Sequence, residues 1–228
     1  AIFDADFVPP EDFLRKSIAF FVERPEIGLV QGRWTHLNRA SSMLTRGQAI
    51  GIDGHFVIEQ SARTWNNLFM NFNGTAGVFR RTAIEDAGGW EHDTLTEDLD
   101  LSYRMQMAGW KTEYVPDLVV PAEIPEDING FKNQQFRWAK GSIQCARKIL
   151  PKLFRGDVPR FPLLQAFLHL TYYTVHPFVL TVALLSAPVL SVVSKLKLPW
   201  LLVPVMVGMA LSTFGPSTMY MTAQHHLG

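Results

Sequence analysis

The sequence predicts a mixed α/β domain followed by two membrane-spanning helices. Over residues 1–160, short apolar runs typical of strands alternate with longer amphipathic stretches typical of helices, the pattern of an α/β domain. Beyond residue 160 the charges nearly vanish, because residues 161–194 and 198–228 contain no Asp, Glu, Lys or Arg. A length of 228 residues suits one domain with an appendage.

Both charge-free stretches are long enough to cross a bilayer, which takes ~20 mostly apolar residues. We place one span near residues 168–192 and a second near residues 199–222. The alternative is a pair of buried helices in a large soluble core, but such helices are usually shorter and bounded by charge. Prolines and glycines inside the spans favour a larger bundle, whose neighbouring helices would cover the freed backbone groups.

A basic amphipathic segment precedes the first span. Its positive charges alternate with apolar residues at Arg147, Lys148, Lys152, Arg155 and Arg160. Such a segment suits the cytoplasmic leaflet, and the positive-inside bias then places residues 1–160 in the cytoplasm, below a multi-pass plasma (inner) membrane region. We therefore predict an α/β domain over residues 1–140, an amphipathic interface helix over residues 141–162 and a transmembrane region over residues 163–228.

Individual elements can be predicted from periodicity and turn residues. Helical patterns cover residues 12–21, 46–63, 94–108 and 128–150. Strand patterns end at Asp4, cover residues 27–30 and 111–115, and follow a glycine-rich turn within residues 71–79. The first helix has Phe13, Ile18 and Phe21 roughly on one face. The third has Thr94 and Glu97 at the spacing of a capping box, and Gly109 is a natural stop.

Composition excludes some classes of function. Lys+Arg and Asp+Glu both number 21, so the net charge is zero and no basic field favours nucleic acid as a partner. The only cysteine, Cys145, allows neither a disulfide framework nor a cysteine metal cluster. The chain begins without Met, in a pattern typical of the middle of a strand, and we expect a fragment truncated at its N-terminus.

The first chemical motif is Asp4-Ala5-Asp6, after an apolar approach. Residues two apart in a strand point the same way, so both carboxylates could share one divalent cation at the strand's end. Mg²⁺ and Mn²⁺ prefer carboxylate oxygens together with substrate phosphates, and such an ion would offset the charge of a departing nucleoside diphosphate. Solvated carboxylates on turns are also common, so the motif alone does not establish a metal site.

The second motif, Thr96-Glu97-Asp98, lies at a predicted helix start. Acidic residues are favoured there by the helix dipole, which is a sufficient structural explanation. The functional interpretation is a general base, because a sugar hydroxyl must lose its proton as it attacks. The motif alone leaves both open.

The third motif is Gln134, Arg137 and Trp138, which cluster on one face of a predicted helix. Arg can bind phosphate oxygens in a bidentate manner, Trp offers a flat face for a sugar ring, and Gln can hydrogen-bond a hydroxyl or a phosphate. An ordinary amphipathic helix with a packed Trp explains the same pattern.

The fourth motif is the run Asn71 to Gly77, which holds little but small and polar residues around Phe72. Gly74 and Gly77 permit unusual dihedral angles or close backbone approach. The run therefore suits a loop beneath a sugar, and equally a plain turn between strands.

The order of these motifs is more specific than any one of them. Asp-x-Asp, Phe-Asn-Gly-Thr-Ala-Gly, Gly-Gly-Trp, Thr-Glu-Asp and Gln-x-x-Arg-Trp follow one another and precede the spans. Over residues 1–155 this resembles the family 2 inverting, processive glycosyltransferases, such as cellulose synthase and, more closely, the cellulose-synthase-like mannan and glucan synthases. The resemblance implies a GT-A-type (Rossmann-like) domain on interface helices and a membrane channel.

The resemblance also implies roles for the motifs. Metal (Mg²⁺ or Mn²⁺) and donor diphosphate would be bound by Asp4 and Asp6, with further donor contacts from Gln134 and Arg137. The catalytic base would be Asp98. The acceptor would be bound by Glu97, Trp138, Gly74 and Thr75.

The implied function is transfer of a hexose from UDP-glucose or GDP-mannose to a growing β-linked polysaccharide. The alternatives are a non-processive transferase that adds one sugar to a lipid carrier, and an inactive scaffold or transporter that kept the fold.

Overall fold

A three-stranded mixed sheet organises the first part of the chain in this computed structural model, which describes residues 1–197, 200 and 202–228. The central strand β1 (Ile27–His36) pairs antiparallel with β2 (Gly77–Phe79) and parallel with β3 (Lys111–Ala122). The helices are α1 (Phe13–Glu23), α2 (Met43–Gly54), a π-helical turn (His55–Gln60), α3 (Ser61–Trp65), α4 (Arg81–Asp86), α5 (Glu97–Met107), α6 (Ile128–Arg155), α7 (Arg160–Leu170), a 3₁₀ turn (Tyr172–Thr174), α8 (Val175–Leu196) and α9 (Leu202–Leu227).

Both long strands extend beyond their predicted ends. The sequence predicts that strand β1 ends near residue 30 and that β3 ends near residue 115. The two strands continue side by side, with Thr35 opposite Pro121 and His36 opposite Ala122. Pairing between the strands stabilises these extensions, which lie beyond the predicted strand patterns, so tertiary structure overrides local sequence here.

Two helix details predicted from the sequence are wrong. Helix α5 begins at Glu97 with Thr96 as its N-cap, and no side chain caps it, so the capping box expected from Thr94 does not form. In α1, Phe13 and Ser17 are buried whereas Ile18 is about half exposed, so the buried face is rotated from the predicted one.

Helices α5, α6 and α7 share one hydrophobic cluster. Its buried members are Leu99, Tyr103, Cys145, Ala146, Ile149, Leu153, Ala166 and Leu170. The apolar face expected to lie on a membrane over residues 141–162 is therefore partly used inside the domain, since Ile149 and Leu153 are fully buried there. The boundary predicted after residue 140 also falls within the continuous helix α6.

The chain divides into two compact units, Ala1–Thr171 and Tyr172–Gly228. The second contains two apolar helical segments, Tyr172–Leu196 and Leu202–Leu227, each long enough to cross a membrane, with mean hydropathies of 2.0 and 1.3 and almost no buried residues. The first begins four residues later than predicted, because α7 packs into the first unit. The start of the second predicted span, at residues 199 and 201, lies outside the described residues. The functional division into domain, interface helix and membrane region stays a prediction.

Candidate active site

The motif Asp4-Ala5-Asp6 forms a tight turn at the sheet. Ile2 pairs with Gly77 before the motif, and Phe7 pairs with Ala122 after it. Between them the N–H of Phe7 donates to the carbonyl of Asp4 at 3.1 Å, which closes the turn. The expectation that the carboxylates share a face because they lie in a strand is therefore wrong. They lie on a turn, exposed, and the turn rather than strand periodicity determines their placement.

The charged groups that act on the carboxyl group of Asp4 come from the other predicted motifs. Partial burial raises its pKa, the negative charges of Asp6 and Glu97 raise it further, and the guanidinium of Arg137 lowers it. The predicted metal, acceptor and donor motifs thus lie within electrostatic range of one another. Mutually repelling carboxylates with hard oxygen donors fit a divalent cation, which would relieve the repulsion.

Asp98 lies in the first turn of α5 and faces the glycine loop, the run Asn71–Gly77. Its Oδ1 accepts a hydrogen bond from the N–H of Leu99 at 2.8 Å. Its Oδ2 lies 3.3 Å from the position that a Cβ would take on Gly74. Burial raises the pKa of Asp98 to about 7, against the lowering effect of the Leu99 hydrogen bond and with support from the charges of Glu97 and Asp4. A carboxylate with a pKa near the working pH suits a general base.

The glycine loop connects the two acidic motifs through buried hydrogen bonds. The N–H of Phe72 donates to the hydroxyl of Ser102 at 2.7 Å, and that hydroxyl donates to the carbonyl of Asp98 at 2.6 Å. On the other side, the Gln31 side chain of β1 accepts from the N–H of Asn73 at 3.1 Å and donates to the carbonyl of Thr75 at 3.0 Å. The loop is therefore fixed relative to both α5 and the sheet.

Thr75 supports the metal motif rather than facing solvent. Its side chain is fully buried, and its hydroxyl accepts a hydrogen bond from the N–H of Asp4 at 2.9 Å. Its predicted contact with an acceptor would have to use the backbone, because the side chain already holds Asp4. Gly74, with a φ of +84°, is partly exposed beside Asp98.

Helix α6 is anchored close to the Thr-Glu-Asp motif. A Cβ on Gly141 would lie 2.5 to 2.9 Å from side-chain atoms of Thr96, so only glycine permits this approach. One turn further on, the side chain of Gln144 accepts from the N–H of Leu95 at 2.9 Å. Arg137 and Trp138 lie in the turn immediately before this anchor, the former exposed and the latter half-buried. Of the Gln-x-x-Arg-Trp motif, Arg137 lies within electrostatic range of Asp4, and Gln134 is half-buried one turn earlier.

A second acidic group, Glu91, Asp93 and Asp100, has carboxylate oxygens within 4.8 Å of one another. The ammonium group of Lys148 lies among them, 2.7 Å from Asp93, 3.0 Å from Asp100 and also in contact with Glu91. Arg104 adds a 2.8 Å contact to Asp100. Side-chain cations thus already balance this group, and Asp4 and Asp6 fit a metal ion better.

Sequence reasoning missed the connecting residues of the site. Ser102 lies four residues after Asp98, on the same face of the helix, and that spacing was the available signal. Gln31 gave no signal, since a single polar residue in a strand pattern usually predicts a solvent-facing position, whereas this side chain is fully buried.

Comparison with known proteins identifies the family of this chain. The family described as "Glycosyl transferase family group 2" matches residues 1–215. The chain belongs to this family. Among its relatives, Glucomannan 4-beta-mannosyltransferase 2 of Arabidopsis thaliana is 44% identical over 160 residues, which are 70% of this chain and 30% of the relative. Glucomannan 4-beta-mannosyltransferase 1 of Oryza sativa subsp. japonica is 44% identical over 156 residues, 68% of this chain and 30% of the relative.

This family 2 chain thus spans about three tenths of the length of these curated relatives. Among solved structures, the mannosyltransferase PcManGT from Pyrobaculum calidifontis, in complex with GDP-Man and Mn²⁺, matches 98% of this chain and 60% of its own chain, with a TM-score of 0.54 and 20% identity. That similarity concerns the fold, and the predicted GT-A-type fold is confirmed.

Proposed function

We propose that this chain carries the acceptor-activating part of a membrane-bound, inverting mannosyltransferase that extends a β-linked glucomannan or mannan from GDP-mannose. The observation that carries the proposal is Asp98, a carboxyl group with a pKa raised to about 7 beside a glycine loop, within electrostatic range of the metal motif at Asp4. The names of the relatives and of the structural neighbour support mannose and GDP-mannose over UDP-glucose.

In the proposed reaction, Asp98 takes the proton of an acceptor hydroxyl as its oxygen attacks the anomeric carbon of the donor. The new glycosidic bond forms as the bond from that carbon to the diphosphate breaks, and GDP leaves with the electron pair. A single displacement of this kind inverts the configuration at the anomeric carbon, which gives a β-linkage from an α-linked donor.

The surrounding residues would orient the reactants. Arg137 and Gln134 would bind the diphosphate, and Trp138 would stack on the terminal sugar of the acceptor, beside Glu97. A divalent cation, Mn²⁺ or Mg²⁺, bound by Asp4 and Asp6 would offset the charge of the diphosphate. The backbone of Asp4 is already fixed by Thr75, so this motif is preorganised.

We also propose that both apolar helical segments, Tyr172–Leu196 and Leu202–Leu227, cross a bilayer with the first unit on the cytoplasmic side. Their composition supports the crossing, since they carry long apolar surfaces that are exposed in the chain itself. The basic residues near the end of α6 support the orientation, through the positive-inside bias.

The direct test is transfer by the full-length protein in membranes, supplied separately with radiolabelled GDP-mannose and UDP-glucose and with Mg²⁺ or Mn²⁺. We expect label from GDP-mannose in a polymer. Label confined to a short lipid-linked product would instead establish the non-processive alternative, and label from neither donor would contradict the proposal.

Substitution of Asp98 tests its proposed role as the general base. We expect Asp98→Asn to lower the transfer rate about 10²- to 10⁴-fold, the usual contribution of a general base, while GDP binding stays close to that of the wild type. Asp93→Asn is the control, since Asp93 lies in the cluster around Lys148. Full activity of Asp98→Asn would show that another group takes the proton.

A further inference from the structure

The π-helical turn His55–Gln60 lies beside the glycine loop and reaches it through two side chains. Nε2 of His55 lies 3.0 Å from Oδ1 of Asn73, and the side-chain amide of Gln60 donates to the carbonyl of Asn71 at 3.0 Å. Single π-helical turns are rare and occur frequently at functional sites. This turn interrupts an otherwise α-helical stretch where that stretch passes the loop.

Glu59 fixes the orientation of the imidazole ring. Its Oε2 lies 2.8 Å from Nδ1 of His55, and its Oε1 accepts from Arg63 at 2.7 and 3.0 Å. Burial raises the pKa of Glu59, but the neighbouring His55 and Arg63 outweigh it and hold the pKa well below its usual range. An ionised carboxylate only accepts hydrogen bonds, so Nδ1 carries a proton and Nε2 is directed at Asn73.

Asn73 connects the imidazole ring of His55 to the loop residue that faces Asp98. Its Oδ1 is also 2.8 Å from the side-chain nitrogen of Asn71, and its backbone N–H is held by Gln31. The next residue is Gly74, which faces Oδ2 of Asp98. The link from the ring to Asn73 holds for either assignment of the amide atoms, because an imidazole nitrogen donates or accepts according to its tautomer.

We propose that His55 is a positioning residue for glycosyl transfer, which holds Asn73 and thereby fixes Gly74 opposite the carboxylate of Asp98. Glu59 and Arg63 act through His55 by holding the ring. The inference rests on the proposed function for its rate measurements, and on the loop geometry alone for its structural measurement. Neither His55 nor Glu59 touches the reacting atoms in this arrangement.

Two substitutions separate the contacts of the ring. His55→Gln places an amide group near the position of Nε2 and keeps a bond to Asn73. His55→Asn places one near the position of Nδ1 and keeps a bond to Glu59 instead. Both variants are polar and smaller than His, so each is the control for the other in folding.

If His55 positions the loop, His55→Asn lowers the initial transfer rate at saturating GDP-mannose about 10- to 100-fold, as expected for misplaced reactants, while His55→Gln retains most of it. GDP binding by both variants equals that of the wild type, since the donor contacts lie elsewhere. Equal rates for the two variants, or a faster His55→Asn, would overturn the inference and assign His55 to the support of Glu59.

Hydrogen exchange of the full-length protein in detergent tests the same inference without turnover. The backbone amides of Asn73 and Gly74 should exchange faster in His55→Asn than in His55→Gln. Unchanged exchange in both would contradict positioning whatever the rates. A wild-type protein that transfers no sugar would refute the proposed function, and the exchange difference would still decide the role of His55.

Discussion

Burial and neighbouring negative charge both raise the pKa of Asp98. Its carboxyl group is withdrawn from water between the start of α5 and Gly74, and two further carboxylates, Glu97 and Asp4, raise its pKa. A base must be deprotonated to act, so transfer should be slow below pH 7 and rise as Asp98 ionises. The stability of the folded state changes with pH in the opposite direction. The folded state favours the protonated form, so Asp98 contributes less to stability as the pH rises from its unfolded pKa through about 7.

The neighbouring charge allows a test of this assignment. In Glu97→Gln one of the charges that raise the pKa of Asp98 is removed, so the acidic limb of the kcat/KM profile should move to lower pH, whatever the change in its height. The measurement is the initial rate of transfer from GDP-mannose between pH 5 and pH 9. Asp86→Asn is a control, because Asp86 pairs with Trp110 instead. A limb that keeps its position in Glu97→Gln would show that Asp98 does not set it.

The sequence predicted the residues of the candidate site better than it predicted the buried residues that fix their positions. Asp4, Asp98 and Arg137 occur in motifs whose order is specific, and the structure brings their charges together. Their roles stay predictions until a donor is bound. The buried connector Gln31 could not be predicted from the sequence, because its function depends on which backbone groups the fold leaves unpaired. Ser102 was indicated only by its spacing from Asp98.

Among the elements, helix α6 connects the Gln-x-x-Arg-Trp motif to the start of helix α5. It begins with a capped turn, in which Asp127 accepts from the N–H groups of Asn129 and Gly130 at 2.9 Å. It then crosses the start of α5 at Gly141. Periodicity predicted the helix, but not that part of its apolar face would be buried against α5 and α7. That choice between core and membrane depends on which partner helix is present, and hydrophobicity alone does not distinguish the two.

The crossing at Gly141 predicts a sharp difference between two glycines. A Cβ in Gly141→Ala would meet Thr96 at 2.5 to 2.9 Å, so the helices must separate, at a cost of about 1–3 kcal/mol of unfolding free energy. Thr96 precedes Glu97 and Asp98, so the transfer rate should fall as well. The measurements are thermal unfolding in detergent and initial rate in membranes.

Gly51→Ala is the matched control for that prediction. Gly51 also lies inside a helix, α2, but among the described residues no neighbour lies within 4 Å of the position that a Cβ would take. Alanine there should stabilise the protein by about 0.4–1 kcal/mol, because it restricts the unfolded chain without a clash. If Gly141→Ala were as stable and active as Gly51→Ala, the close approach of α6 to Thr96 would not matter for either property.

At the scale of the whole molecule, the predicted change from a charged to an apolar region lies close to the division between the two compact units. The change in charge density after residue 160 marks the approach to the second unit, which begins at Tyr172. The intervening helix α7 is apolar for another reason, since Ala166 and Leu170 belong to the buried hydrophobic cluster that α7 shares with α5 and α6. His169, predicted within the first span, instead lies in the first unit, 2.7 Å from the hydroxyl of Tyr103. Burial lowers the pKa of His169 to about 3, so it is neutral there.

The proposed orientation of the two apolar segments can be tested by cysteine labelling, because residues 1–228 contain one cysteine, Cys145, which is buried. In a Cys145→Ser background, single cysteines replace Arg155 at the end of α6 and Lys195 near the end of α8, both exposed. A membrane-impermeant maleimide applied to intact cells should label Lys195→Cys. It should label Arg155→Cys only after the membrane is permeabilised, because the first unit is proposed to face the cytoplasm.

Each labelling outcome has a separate physical meaning. Labelling of Arg155→Cys alone in intact cells would reverse the orientation, and would show that Lys195 and Lys197 outweigh the basic residues of α6. Protection of both positions until permeabilisation would mean that α8 does not cross the bilayer, so that its apolar surface must be covered by protein instead. The Cys145→Ser protein without either new cysteine is the control, and its labelling is subtracted from that of the two variants.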